Sequence, residues 1–329
     1  MRILIVHTET IPVKLYGGTE RVVWSLGKEL TKLGHEVTFL AKKGSYCDFA
    51  PMCIIDETQS IVDQIPGEFD VVNFFSRPKD AHSLKMPYVI TLEGNLNKPV
   101  ELDRNTIFVS KNHAQRFGSD SYIHNGIDWD DYARPVLDKP RSHFHFLAKA
   151  AWNVKNVQGA INIINKSGSE RLEVLGGIRF NLKMGMRFTF SPKVRFRGMV
   201  GGAVKDRLVN ASKGLIFPVR WNEPFGIAIT ESLYYGCPVF GTPYGSLPEL
   251  INEDVGFLSY KEDELVKAIL NVDHFSRKRC HEYARDEFNS KKMAFQYLSK
   301  YEKVINGEFL NEQSPRLLEI QEEKLLRWE

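Results

Sequence analysis

Glu223-Pro224-Phe225-Gly226-Ile227-Ala228-Ile229-Thr230-Glu231 is the stretch on which the reading of this chain turns. Two carboxylates bracket a helix start. Proline and glycine are expected just inside that start, where a missing amide donor and a bare backbone are tolerated. The free N–H groups of a helix N-terminus form a ready site for phosphate. A carboxylate beside an anion site needs some other partner, and sugar hydroxyls supply one. Eight positions apart on a helix of 3.6 residues per turn, the glutamates are displaced by ~80° over about two turns, so both can line one groove. The pattern implies a ligand with a diphosphate in the middle and polyols on both sides. Two ordinary surface glutamates are the competing reading, and Pro-Phe-Gly between them argues against it.

The surroundings of this segment alternate strand and helix patterns. Toward the N-terminus, Gly214–Phe217 reads as a strand and the glycine-rich turn Arg197-Gly198-Met199-Val200-Gly201-Gly202 precedes a helix expected around Ala203–Ala211. Earlier still, Phe144–Ala148 and Leu172–Leu175 read as strands flanking a helix over Asn156–Asn165. Toward the C-terminus come a strand at Pro238–Gly241 and helices at Glu262–Leu270 and roughly Arg277–Ile305, stopped by Gly307. The first third repeats the theme. Ile3–Val6, a helix capped by Thr19 and ending near Leu33, and Glu36–Ala41 form a βαβ unit, with further strands expected at Phe69–Phe75, Tyr88–Thr91, Thr106–Val109 and Ser121–His124. A proline-containing, highly charged stretch at Asp130–Arg141 reads as a linker. The expectation is two doubly wound parallel-sheet α/β domains, 1–138 and 139–290, followed by a charged tail over 307–329 that reads as an extra amphipathic helix or a frayed end.

The 329 residues, 43% hydrophobic and 26% charged, suit a two-domain globular protein. The net charge of +3 is unevenly spread: residues 139–213 hold 15 Lys/Arg against only Glu170, Glu173 and Asp206. Such a segment attracts polyphosphate, nucleic acid or an anionic membrane, or is simply a solvated basic face. No recognition motif accompanies the charge, so no nucleic-acid partner is expected. Cys47, Cys53, Cys237 and Cys280 are scattered without a Cys-x-x-Cys pair, which argues against zinc and fits reduced thiols in a cytoplasm. No apolar run approaches the ~20 residues of a membrane span.

Other positions carry possible chemistry. Gly17-Gly18 falls in the first strand-to-helix loop, where backbone can approach a phosphate closely, although no Gly-x-Gly-x-x-Gly and no Walker lysine motif is present. Lys149 closes the first strand of the second domain and Lys155 opens its first helix, so two cations face one crevice and can neutralise a leaving diphosphate. Each also has an ordinary reading, as a turn or as surface lysines.

Taken in order, these motifs resemble family 4 of the retaining glycosyltransferases, which have the GT-B fold, two Rossmann-like domains facing a cleft. The matching residues are Gly17-Gly18-Thr19-Glu20-Arg21, Ile123-His124-Asn125-Gly126-Ile127-Asp128, Phe146-Leu147-Ala148-Lys149 with Lys155, and Glu223 to Glu231, continuing through Gly236-Cys237-Pro238-Val239 and Gly245-Ser246-Leu247-Pro248-Glu249. The resemblance implies a donor held mainly by the second domain and an acceptor on the first. It places donor-sugar hydroxyls at Glu223, the ribose at Glu231, the diphosphate at Lys149 and Lys155 with backbone of Gly17, Gly18, Phe225, Gly226 and Ile227, and the base beside Met199. It also implies a last helix, about 291–306, that crosses back to the first domain. One departure stands out: where the family commonly carries a histidine in a Thr-x-His-Gly strand end, this chain has Thr91-Leu92-Glu93-Gly94.

The expected reaction is transfer of a hexosyl group, with retention, from a nucleotide-diphosphate sugar to a hydroxyl of a glycan or lipid-linked acceptor. UDP-sugar is the preferred donor and a guanosine diphosphate sugar the alternative. No cofactor and no metal are required. Glu93 is the one carboxylate placed to invite a nucleophile's role, and front-face attack fits the family better. A nucleotide-sugar epimerase and a catalytically silent nucleotide-sugar-binding protein are the alternatives. The expected location is the cytoplasm, with peripheral contact at the inner membrane face left open.

Overall fold

A computed structural model describes residues 1–13, 15, 17–181 and 186–329. Lys14 and Tyr16 of the first loop lie outside the described residues. The chain divides into two compact units. The first comprises residues 1–13, 17–129 and 288–320, and the second residues 14–16, 130–287 and 321–329.

The first unit runs β1 (Arg2–His7), α1 (Gly18–Lys32), β2 (Glu36–Ala41), β3 (Met52–Ile54), β4 (Val71–Phe74), β5 (Tyr88–Leu92), β6 (Thr106–Phe108) and α2 (Lys111–Gln115). Its six strands are all parallel, in the order β3-β2-β1-β4-β5-β6. Strands buried on both faces read as continuous apolar runs, as Ile3–Val6 does. Leu4, Val6, Leu40, Val72, Phe74 and Ile90 form one core cluster. The apolar stripe Val22, Val23, Leu26 and Leu30 buries α1.

The second unit runs β7 (His143–Leu147), α3 (Val157–Lys166), β8 (Leu172–Leu175), β9 (Phe180–Asn181), β10 (Arg187–Phe188), β11 (Val194–Phe196), α4 (Gly202–Asn210), β12 (Ser212–Phe217), α5 (Ile227–Tyr234), β13 (Val239–Gly241), α6 (Leu247–Leu250), β14 (Gly256–Leu258), α7 (Glu262–Leu270) and α8 (Arg277–Glu287). Its sheet, again six-stranded and parallel, is ordered β11-β8-β7-β12-β13-β14, and β9 and β10 pair antiparallel apart from it. Both sheets thus share one doubly wound order. Each reverses direction once, between β1 and β4 and between β7 and β12, and the carboxyl ends of strands at such a reversal are where open α/β sheets take ligands. The α/β, GT-B architecture is the one the sequence led us to expect.

Several local expectations are corrected. The C-terminal helix is two helices, α8 and α9 (Ser290–Ile305), broken where Ile127 N–H donates to Phe288 O and Ser290 N–H to Ile127 O. Asn289 then caps α9 by accepting from Lys292 N–H. A side chain on Gly126 would collide with the Asn289 backbone, so this close approach requires glycine. Ser121–His124 forms only a single bridge to Phe108. Thr19 does not cap α1; the N-cap is Gly17 with no side-chain cap. Residues 307–329 form no helix. Leu317 is buried in the first unit, and the last residues bond within the second, Leu326 N–H to Arg220 O and Glu329 N–H to Tyr260 O.

Candidate functional site

In the second unit the site is built at the β7/β12 reversal. After β7 the chain turns through Lys149–Trp152 into a short 3-10 turn, Asn153–Lys155. Asn156 follows in the left-handed region, φ 54°, where asparagine is better tolerated than bulkier residues. Its side chain caps α3 by accepting from Gly159 N–H and donates to Pro218 O at 2.9 Å. Arg220 N–H also donates to Val154 O at 2.7 Å. These bonds tie the loop carrying Lys155 to the loop after β12.

Lys155 and Glu223 therefore meet. Both are buried, with Lys155 Nζ 2.6 Å from Glu223 Oε2. The same oxygen accepts from Trp221 Nε1–H at 2.7 Å, and the Lys155 ammonium lies 4.8 Å from the Trp221 ring centroid, a cation–π contact. The expected partnership of Lys149 with Lys155 is not formed as an equal pair. Lys149 is exposed, its Nζ 5.3 Å from the Trp152 ring.

Helix α5 starts at Ile227, two residues later than Phe225. Pro224 and Gly226 lie before it, not inside it, a correction to the reading of this segment. Gly226 is the N-cap at φ 96°, a conformation that favours glycine, and it brings no side chain to cap the helix. The first-turn amides are thus led by bare backbone at Phe225, Gly226 and Ile227, the arrangement that favours an anion. The preceding loop is held from the other side. Ser246 N–H donates to Glu223 O and Ser246 Oγ–H to Phe225 O at 2.6 Å. Gly245, at φ 63°, packs so tightly that a side chain would collide with the Glu223 backbone.

Glu231 is buried on α5 and does not stand free. Its Oε1 takes Lys205 Nζ from α4 at 2.5 Å and Tyr132 Oη–H at 2.5 Å, with the Lys205 ammonium 5.0 Å from the Tyr132 ring. Sequence reasoning missed Lys205, Tyr132 and Trp221. The signal for Lys205 was its place just after the Gly201-Gly202 turn; Tyr132 sat in a segment read as linker and carried none. Helix α4 also begins at a glycine without a side-chain cap, Gly201, and Met199 is exposed on the loop before it.

In the first unit, Gly17 and Gly18 open α1, and Glu20 folds back so that a side chain on Gly17 would collide with its carboxylate. Glu93 ends the β5 strand run. Its Oε2 accepts from Asn125 Nδ2–H at 2.9 Å, while among the described residues buried Oε1 has no partner, nor does Asn125 Oδ1. Burial pushes the Glu93 carboxyl up to about 7; the Asn125 bond opposes this and the Glu20 charge adds to it. At the end of β1, buried His7 has neither ring nitrogen bonded among the described residues and is pushed down to about 4 by burial, so it is neutral at pH 7. Glu93 thus belongs to the first unit, whereas Lys149, Lys155, Met199, Phe225, Gly226, Ile227, Glu223 and Glu231 belong to the second. Among the described residues no group of three or more His, Cys, Asp or Glu is placed to hold a metal ion, and no helix is long and apolar enough to cross a membrane.

Comparison with known proteins bears on this arrangement. The model of the glycosyl transferases group 1 family matches residues 188–287, a span that contains Met199, Lys205, Glu223, α5 and Glu231. The similarity to that family is confined to this segment, and the chain as a whole has the GT-B fold. A curated relative, an uncharacterized 41.2 kDa protein in the cps region of Klebsiella pneumoniae, is 30% identical over 94 residues, which are 26% of this chain and 26% of that protein. Among solved structures, AviGT4, a glycosyltransferase involved in avilamycin A biosynthesis, has a TM-score of 0.75 at 18% identity, covering 93% of this chain and 98% of that one. Sucrose-phosphate synthase from Thermosynechococcus elongatus has a TM-score of 0.72 at 14% identity, over 93% and 100%. HepE from Anabaena, solved with UDP-glucose, has a TM-score of 0.67 at 15% identity, over 92% and 99%.

Proposed function

We propose that this chain is a retaining glycosyltransferase of family 4. It would move a hexosyl group from a nucleotide-diphosphate sugar, with UDP-sugar the first choice, to a hydroxyl of a glycan or lipid-linked acceptor. The observation that carries the proposal is the glycine-led, uncapped start of α5 with buried Lys155–Glu223 before it and buried Lys205–Glu231 along it. The match of residues 188–287 to group 1 glycosyl transferases supports the class, and the binding of UDP-glucose by HepE supports the donor.

In this reading each lysine neutralises a glutamate until the donor arrives. The diphosphate competes for the Lys155 ammonium and takes backbone amides at Phe225–Ile227, while the released Glu223 accepts from sugar hydroxyls. Glu231 holds the ribose from the far side of the helix start, and Met199 lies beside the base. As the glycosidic bond breaks, negative charge grows on the leaving phosphate. Lys155, Lys149 and the α5 amides would stabilise that charge, which is where preorganised electrostatics contributes most. The departing phosphate oxygen takes the proton of the attacking hydroxyl on the same face, so configuration is retained and no metal is needed. Glu93, with one oxygen unpartnered and a carboxyl that titrates near neutrality, is placed in the first unit to bond an acceptor or sugar hydroxyl.

The test is calorimetric titration of the full chain with UDP, UDP-glucose and the guanosine counterparts, followed by NMR of the anomeric proton with an acceptor panel. Glu231→Gln and Lys205→Met should each weaken donor binding roughly tenfold or more, since each strands a buried partner. Transfer with retention is expected. Epimerised donor without acceptor would indicate an epimerase, and binding without turnover a silent receptor. No nucleotide binding at all would end the proposal.

A further inference from the structure

Residues 321–329 bond to the two loops that build the start of α5, all within the second unit. Leu326 is paired with Arg220 in both directions. Its N–H donates to Arg220 O at 2.9 Å, and Arg220 Nε–H donates to Leu326 O at 2.7 Å. Arg220 stands next to Trp221 and three residues before Glu223, and its own N–H holds the carbonyl of Val154, the neighbour of Lys155. One residue thus joins the tail to both members of the Lys155–Glu223 pair. Leu325 lines a cavity of about 180 Å3 together with Trp152, Asn153, Asn156 and Arg220, so it lies against the turn that carries Lys155. The second loop is held in the same way. Tyr244 Oη–H donates to Arg327 O at 2.8 Å. Gly245 and Ser246 follow directly, and they are the residues packed against the Glu223 backbone and bonded to Glu223 O and Phe225 O. The Tyr244 ring meets that of Tyr260 edge-on, with centroids 5.1 Å apart. Glu329 fastens the tail beyond it, its N–H donating to Tyr260 O at 3.0 Å and its O accepting from Glu262 N–H at the start of α7 at 2.6 Å.

These contacts fall on one residue of each loop that meets at Glu223. On the tail they use main-chain N–H and C=O groups, so they fix where the backbone runs rather than what side chain it bears. Backbone placement is what the site depends on. The α5 amides and the Lys155–Glu223 pair are useful to a diphosphate only in one geometry, and a displacement of about 1 Å in such a group can cost about 100-fold in rate. We propose that residues 325–329 are a positioning strap for the donor site: through Arg220 and Tyr244 they hold the Lys155 turn and the loop before α5 in the geometry that receives the diphosphate. Their action is indirect, by way of the two loops. The effect on binding rests on the donor-site reading above, whereas the effect on the loops is measured without any donor.

The experiment compares the full chain with Leu326→Pro, Leu326→Ala and Tyr244→Phe. Proline removes the N–H that Arg220 O accepts, alanine keeps both backbone groups, and phenylalanine keeps the ring but loses the hydroxyl bonded to Arg327 O. Hydrogen exchange is followed in peptides covering Arg220 and Ser246, whose N–H groups bond Val154 O and Glu223 O. Exchange should quicken at Arg220 in Leu326→Pro and at Ser246 in Tyr244→Phe, with the sheet of the second unit unchanged. Affinity for UDP, by calorimetry, should fall roughly three- to tenfold in Leu326→Pro, the scale of one or two lost hydrogen bonds, and less in Tyr244→Phe. Leu326→Ala should keep wild-type affinity, and saturating UDP should slow exchange again in Leu326→Pro. A tail with a merely structural role would lower the thermal transition and leave both UDP affinity and exchange at Arg220 and Ser246 as in wild type; that result would overturn the proposal. Should Leu326→Pro not fold, Tyr244→Phe decides by the same two readouts. If the wild-type chain binds no UDP, the donor-site reading falls and exchange alone decides: quickened exchange sustains the strap, and unchanged exchange overturns it.

Discussion

Replacing Lys155 by methionine probes the second unit most directly. Methionine keeps the apolar stem and removes the ammonium that lies 2.6 Å from Glu223 Oε2. At an effective dielectric of about 20, the attraction lost at that distance is about 6 kcal/mol. Desolvation of both ions in the folded state offsets part of this, and breaking a buried pair from one side costs about 3–5 kcal/mol. The variant should sit in the same range, because Glu223 keeps only the Trp221 Nε1–H bond to the oxygen it shared. For a unit of this size the thermal midpoint should fall by roughly 10 °C. Glu223→Gln in the Lys155→Met background removes the stranded charge while its amide oxygen still accepts from Trp221. The double variant should recover most of the loss, leaving a coupling energy of about 3 kcal/mol. Scanning calorimetry of wild type, both single variants and the double variant measures the cycle. A Lys155→Met loss under about 1 kcal/mol, or additive single losses, would refute the claim that the pair is a coupled buried unit.

Two further outcomes are expected. Glu93 titrates at about 7 in the folded chain against 4.5 unperturbed, so the native state binds its proton first. Its contribution should therefore fall as pH rises from about 4.5 to about 7 and level off above, a total of about 3 kcal/mol; Glu93→Gln should erase that slope, and parallel stability–pH curves for the two proteins would contradict it. Gly245→Ala places a side chain at φ 63° against the Glu223 backbone and should cost about 1–3 kcal/mol, with weaker UDP binding by calorimetry; a midpoint equal to wild type would show that the turn yields freely.

The sequence carried the architecture because the architecture is written in local patterns. Short apolar runs such as Ile3–Val6, punctuated by glycine turns and amphipathic stretches such as Val22–Leu30, are enough to specify parallel strands covered by helices. Helix breaks were less legible. Nothing in the spacing of 277–305 reveals that residues 288–290 leave the helix to bond Ile127, a partner far away in the chain. The β9–β10 pair was similarly opaque, since alternation shows two faces but not which of them meets water.

The site divides along the same line. Local spacing marked Glu223, Glu231, Lys149 and Lys155, because glycine, proline and charged residues near a strand end leave a local signature, whereas Glu93 was marked only by its departure from the family's Thr-x-His-Gly strand end. Pairing was decided by the tertiary structure. Lys155 reaches Glu223 across 68 positions, Lys205 reaches Glu231 across 26, and Asn125 reaches Glu93 across 32. Lys155 and Glu223 meet because the reversal of strand order brings the carboxyl ends of β7 and β12 side by side, Lys205 and Glu231 because α4 and α5 flank β12 in the chain and pack near each other, and Asn125 and Glu93 because the segment bridged to β6 runs beside the end of β5. Hydrogen bonding and desolvation act through space at a few ångströms, and a chain encodes such distances only through its fold.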